Sequence, residues 1–333
     1  MSQSVTRSRS LLAAFTAAFV ILACFAMPAQ VVRGESQGNL RPDGKHHGVL
    51  DPKAPPAQDD ADENNNSNNP TGDASRSHSH GNGISYHGGP VMLNTVNIYY
   101  IWYGNWSGNT ATSLLATLIG DLSYSGSATI KGYEHINTTY YNGANQHVAG
   151  SMTLAGTVTD TAYKYGANLS DSNIQSIVQD HCPSLGSCDT NGIYFVLTSQ
   201  DVNETSGFCT QYCGWHTNGT INGKDIKFAF VGNPARCLSA CAAQSTSPNG
   251  NPGADGMASI IAHESEESIS DPDLNAWYDS SGNENADKCA WTFGTTSRAA
   301  NGSAYNFTGV SGNHYLIQRN WVNASGGYCS MSY

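Results

Sequence analysis

The sequence predicts a mixed α+β fold in a single disulfide-stabilised domain, on three observations. β-prone apolar runs lie between Val96 and Val231, one long helical stretch rich in acids follows them, and eight cysteines lie between Cys182 and Cys329. Apolar runs bounded by Gly, Asn or Asp mark buried strands. Strands, then a helix, then an irregular tail place the chain in the mixed class.

The amino terminus comes first. Arg7 and Arg9 precede an apolar run from Leu11 to Met27 that is rich in small residues and short for a membrane span. Residues 1–34 therefore read as a secretory signal peptide cleaved near residues 26–34, leaving no membrane segment. A lipid-anchor box ending at Cys24 fits less well, because Leu22 is a poor residue for it. Residues 35–85 run through Asp59–Glu63 into Asn64–Pro70 with almost no apolar side chains. Such a stretch cannot bury enough surface to offset the entropy of ordering, and reads as a disordered acidic, Asn-rich linker or pro-segment. His78 and His80 form an HxH pair there, most simply read as solvated.

From about residue 86 to 333 the composition supports one domain with a sizeable core. Val96 to Trp102 (VNIYYIW), Gly192 to Thr198 (GIYFVLT) and Ile226 to Val231 (IKFAFV) read as buried strands. Ala111 to Leu122 carries Leu114, Leu115, Leu118, Ile119 and Leu122 at helical spacing, and a second helix follows a cap at Ser170 or Asp171. A third starts near Gly253 or Asp255 and ends near Ser270, because Pro272 biases Asp271 out of helical geometry.

Removing residues 1–34 takes away Arg7, Arg9 and Arg33 and no acid, so the formal charge moves from −11 to −14. An acidic secreted product is a poor partner for nucleic acid or anionic membranes. Cys182, Cys188, Cys209, Cys213, Cys237, Cys241, Cys289 and Cys329 remain, an even number suited to four disulfides. Pairing within each close pair, with Cys289 joined to Cys329, is the simplest connectivity among the many that eight cysteines allow. N-x-[ST] sequons at Asn65, Asn105, Asn137, Asn168, Asn203, Asn218, Asn301, Asn306 and Asn323 fit an extracellular glycoprotein.

The chemistry concentrates in the third helix. His263 and Glu267 stand at i and i+4 and share a face, while Glu264 occupies the general-base position of an HExxH zinc-hydrolase helix. The pattern here is HExxE, a zincin-like signature whose second imidazole is a carboxylate. A metal-bound water beside Glu264 would be the hydrolytic apparatus of such a site. The third ligand is expected to be Glu284. Asp271, Asp273 and Asp287 stand as alternative ligands or as groups holding His263. Nine of the chain's 26 acidic residues fall between Asp255 and Asp287 with no Lys or Arg among them, which suits a cation. The alternative is a solvated acidic helix end and loop. The ion is read as divalent, zinc or, given the oxygen-rich set, calcium or manganese. His216 and His314 are further histidines able to supply an imidazole, though a lone histidine is more often structural.

Several blocks carry a family resemblance: Tyr86-His87-Gly88-Gly89-Pro90-Val91, Ile101-Trp102-Tyr103-Gly104-Asn105-Trp106, Gly192 to Ser199, Phe208-Cys209 with Tyr212-Cys213-Gly214, Phe230-Val231-Gly232-Asn233, Ala262-His263-Glu264 with Glu266-Glu267, Ser270 to Asp279, Glu284 to Cys289, and Tyr315-Leu316-Ile317-Gln318 with Trp321. Together they make residues 86–333 resemble the plant phosphate-induced protein 1, or EXORDIUM-like, family. The resemblance implies a protein of the apoplast or cell wall associated with growth and cell expansion. It also implies that glutamate at 267 is the family's habit, and it leaves catalysis open.

Three functions remain at this point: a growth-associated extracellular factor carrying the metal site, an extracellular metal-dependent peptidase, and a wall-polysaccharide binder. The last rests on the aromatic run Tyr99, Tyr100, Trp102, Tyr103 and Trp106, which can stack on sugars but alternates like a core strand. The expected partner is an extracellular protein or a cell-wall component.

Overall fold

In a computed structural model, the described residues are 30–33, 83–123 and 132–333. Most of the expected signal peptide and linker, with His78, His80 and Asn65, lies outside them. Gln30–Arg33, inside the expected signal region, pairs antiparallel with Thr292–Arg298.

The core is a five-stranded sheet. Its strands are β1 (Val96–Tyr103), β2 (Met152–Asp160), β3 (Gly192–Thr198), β4 (Gly214–Ile221) and β5 (Lys224–Gly232), arranged in the order β2-β1-β3-β5-β4. The first four in that order run parallel and β4 is antiparallel at the edge. Helix α1 (Ala111–Ser123) connects β1 to β2, and α2 (Asp171–His181) lies between β2 and β3. The fold is thus mixed α/β, with more parallel pairing than the strands-then-helix reading anticipated. β1 and β3 match their expected spans because they are central strands with both faces covered, which makes them continuously apolar. β2 escapes sequence reading because it is an edge strand whose intervening residues reach solvent.

β4 and β5 form a hairpin closed by Asn222–Gly223, both at positive φ (51° and 74°), the geometry that favours Asn-Gly in two-residue turns. This hairpin decides the disulfides. It returns the chain to its own starting edge, where Gly214 pairs with Val231, so the segment before β4 lies beside the segment after β5. The bridges are accordingly Cys209–Cys237 and Cys213–Cys241, with Cα–Cα distances of 5.8 and 5.4 Å, in place of the expected local pairs. Cys182–Cys188 and Cys289–Cys329 form as expected.

Helix α2 starts at a capping box between Ser170 and Asn173, as expected. The third helix, α3, spans Pro252–Ser270. It begins slightly earlier than expected because Asn251 caps Ala254 N–H at 3.1 Å and Pro252 takes the first helical position. Asp271 ends it, and its carboxylate accepts the backbone N–H groups of Asn275 and Ala276 at 2.6 Å each. Every residue of α3 after Pro252 is buried, between the β4–β5 hairpin, α1 and the C-terminal segments. After α3 the chain makes one seven-residue strand, Thr292–Arg298, with otherwise strands of two or three residues and a 3-10 turn, close to the irregular tail expected. Among the described residues no helix is long and apolar enough to cross a membrane.

The aromatic run is core. Tyr99, Tyr100, Trp102, Tyr103 and Trp106 are all buried: Tyr100 packs edge-on against Trp102 and Phe195, Trp102 edge-on against Trp106, Tyr99 stacks on Tyr194 and Tyr103 packs edge-on against Tyr163, so they offer no platform for a sugar. Asn137 is also buried, donating to Glu134 Oε1 and to the Glu266 carbonyl, which removes it from the sequons that can carry a glycan. Asn105, Asn168 and Asn301 are exposed; Asn203, Asn218, Asn306 and Asn323 are half-buried.

Candidate metal centre

α3 brings His263 and Glu267 together as the i, i+4 spacing requires, with Nε2···Oε1 at 3.0 Å. The rest of the cluster arrives from two other parts of the chain. β4 contributes His216. In the β4–β5 ladder, Gly214 pairs with Val231 and His216 with Ala229, so these four share the face turned to α3, while Trp215 and Phe230 pack together on the opposite face. Close approach depends on Gly214: a Cβ there would lie 2.6 Å from Ile260 Cγ2, 2.8 Å from the Phe230 carbonyl and 3.0 Å from Glu264 Oε1. The segment after α3 contributes Glu284 and Asp287.

His216 Nε2 lies 3.2 Å from Glu284 Oε2 and 3.8 Å from Glu267 Oε2. His263 Nε2 lies 3.8 Å from Asp287 Oδ1. Ligand-type atoms of His216, Glu264 and Glu267 fall within 4.8 Å of one another, as do those of His263, Glu267 and Asp287. Ligands about 2.0–2.2 Å from one tetrahedral ion stand roughly 3.3–3.6 Å apart, so these spacings fit metal coordination. The donors, imidazole nitrogen and carboxylate oxygen, suit zinc or manganese. Two backbone bonds brace the loop: Asp287 N–H donates to Glu267 Oε1 at 3.1 Å, and Glu284 N–H to Asp287 Oδ2 at 3.3 Å.

The cluster is closed. His263, Glu264, Glu267 and Glu284 are 0% exposed, His216 is 1% and Asp287 is 6%.

The other sequence candidates go elsewhere. Asp273 is paired with Lys227, Asp271 holds the loop after α3, and His314 stacks on Tyr305 and bonds Thr308. Sequence reasoning treated His216 and His314 alike, because a histidine on a polar edge strand carries no periodic signal. The Asn222–Gly223 turn is the available clue, since it fixes which residues of β4 share a face.

Behind the cluster, Glu266 turns to Glu134 on Tyr133–Thr139, a 3-10 helix. Burial pushes the Glu134 carboxyl up to about 7, and burial with the facing Glu134 charge pushes Glu266 well above the usual range. Both carboxyls are fully buried, and one proton held between them would relieve their mutual repulsion. Asn137 links them to Asn285, whose side chain also reaches the Glu266 carbonyl.

Comparison with known proteins follows the same residues. The conserved region of phosphate-induced protein 1 matches residues 84–331. Protein EXORDIUM-like 3 of Arabidopsis thaliana is 32% identical over 281 residues, covering 74% of this chain and 82% of the relative. Protein EXORDIUM-like 5 of the same plant is 30% identical over 273 residues, covering 72% and 75%. Protein PHOSPHATE-INDUCED 1 of Nicotiana tabacum is 26% identical over 269 residues, covering 70% and 83%. No solved structure matches. The conserved region spans the whole sheet, α3 and the loop that carries Glu284, and the chain belongs to the phosphate-induced protein 1 family.

Proposed function

We propose that this chain is a secreted, growth-associated extracellular protein whose fold closes around a divalent metal centre built on His263, Glu267, His216 and Glu284. Family membership supports the growth association. The signal-peptide pattern and four disulfides support secretion to an oxidising compartment, the apoplast or cell wall, where the partner is an extracellular protein or wall component.

One observation carries the metal reading: two imidazoles and several carboxylates from three chain segments converge at 0–6% exposure and at coordination spacing. Concentrating carboxylates away from water costs several kcal/mol per ion unless countercharge is supplied, and a cation supplies it. Catalytic zinc sites keep one position open to water and substrate, whereas structural sites are closed. The burial here favours a structural role, with zinc the first candidate and calcium the alternative. Thermal unfolding with and without EDTA tests it, a lowered midpoint being expected.

The zincin-like hydrolase is the second reading, favoured by one feature. Glu264 follows His263 and reaches within 4.8 Å of the His216 and Glu267 ligand atoms, close to where a metal-bound water would sit. It requires the cluster to open to substrate. Hydrolysis of an unfolded protein substrate by the metal-loaded chain, lost in Glu264→Gln, supports this reading; no hydrolysis by the loaded chain ends it.

A further inference from the structure

The two oxygens of Glu267 face different imidazoles. Oε1 lies 3.0 Å from His263 Nε2, whereas Oε2 lies 3.8 Å from His216 Nε2. Each histidine has its own acid on the far side: Asp287 Oδ1 stands 3.8 Å from His263, and Glu284 Oε2 stands 3.2 Å from His216. The ligand-type atoms sort the same way, into His263–Glu267–Asp287 and His216–Glu264–Glu267, with Glu267 common to both. From these positions we propose that the centre holds two divalent first-row ions bridged by the Glu267 carboxylate, one held by His263 and Asp287 and the other by His216, Glu284 and Glu264.

Charge argues for the second ion. Glu264, Glu267, Glu284 and Asp287 bring four carboxylates into a volume where none is more than 6% exposed. Lys288, next to Asp287 in the chain, is turned to Asp279 at 3.3 Å and lies over the Trp321 ring at 4.7 Å. One divalent ion leaves two negative charges in that volume, whereas two ions match all four. Excess buried charge of either sign is expensive, so the occupancy that balances the ligands is the stable one. A carboxylate bridging two ions about 3.5–4 Å apart is the arrangement of two-metal centres.

This inference rests on the proposed metal centre, and metal stoichiometry separates the two. The secreted full-length chain, purified without chelator, is equilibrated with manganese or zinc, freed of excess ion and analysed for metal per chain. The manganese-loaded protein is also examined by electron paramagnetic resonance. Two equivalents with a spin-coupled manganese spectrum are expected. His263→Ala and His216→Ala should each lose one of the two equivalents and abolish the coupling, while His314→Ala keeps both. One equivalent with an isolated-ion spectrum overturns the two-ion centre and leaves the metal reading standing. No bound metal overturns both. Should the variants fail to fold, the stoichiometry and spectrum of the unaltered chain decide alone.

Discussion

His216 and Glu284 are 68 residues apart in the chain and meet at 3.2 Å, Nε2 to Oε2, both buried. The contact joins the edge strand of the sheet to the loop beyond α3. It thereby restores an imidazole to a helix signature whose second histidine is a glutamate. If metal supplies the cohesion of this junction, its removal should be felt by the whole domain.

Chelation is therefore expected to destabilise the protein strongly. A ligand present at a thousandfold its dissociation constant contributes about 4 kcal/mol of stability. For a domain of this size each kcal/mol moves the midpoint by roughly 2–4 °C. EDTA should lower the unfolding midpoint by about 10 °C, read by calorimetry, and His263→Ala should reduce the difference between the two conditions.

The two candidate histidines should behave differently. His216→Ala should lose metal and part of the chelator sensitivity, whereas His314→Ala, altering a ring stacked on Tyr305, should retain both. Elemental analysis of the two variants side by side distinguishes them. Equal metal content in both would remove His216 from the centre.

Gly214 is expected to tolerate no side chain. A Cβ would press on Ile260, the Phe230 carbonyl and Glu264 at 2.6–3.0 Å. Overpacking of this kind costs about 1–3 kcal/mol. Gly214→Ala should lower the midpoint by roughly 3–10 °C and weaken metal binding, whereas Gly120→Ala, with open space around it and ordinary helical backbone, should leave metal affinity unchanged.

The Glu134–Glu266 pair sets a pH dependence of definite sign. Glu134 is raised by burial to about 7, above its ordinary 4.5, so the folded state holds a proton that the unfolded chain releases. Its stability contribution is fully present below about pH 4.5 and is lost as pH rises through about 7. Protonation of metal ligands acts in the opposite direction, so the comparison is between the unaltered chain and Glu134→Gln at saturating metal. The stability difference between them should shift against the unaltered chain from pH 5 to 8. A pH-independent difference would show that no proton is shared.

Peptide mapping without reduction should find Cys209 linked to Cys237 and Cys213 to Cys241. Peptides joining Cys209 to Cys213 would contradict the arrangement of the β4–β5 hairpin.

How much of this was legible in the sequence follows from how each residue is held. β1 and β3 were readable because central parallel strands are apolar on both faces, and α2 because Ser170 and Asn173 cap it. β4 was not, since Gly214, His216, Thr217, Asn218 and Gly219 form an edge strand without an apolar run. The site divides along the same line. His263, Glu264 and Glu267 were visible from helical spacing alone, and Glu284 was the expected third ligand, which the structure brings against His216. What spacing cannot show is which distant residues a hairpin returns to a helix. That limit hid the partners of His216, the crossed disulfides and the engagement of Asp273 by Lys227.

The most direct measurement is the metal content of the secreted chain purified without chelator, beside that of its Glu267→Gln variant. A divalent metal bound stoichiometrically to the unaltered chain and reduced at least tenfold in the variant is expected. A metal-free chain that takes up no zinc, manganese or calcium and unfolds at the same temperature with and without EDTA would contradict the account.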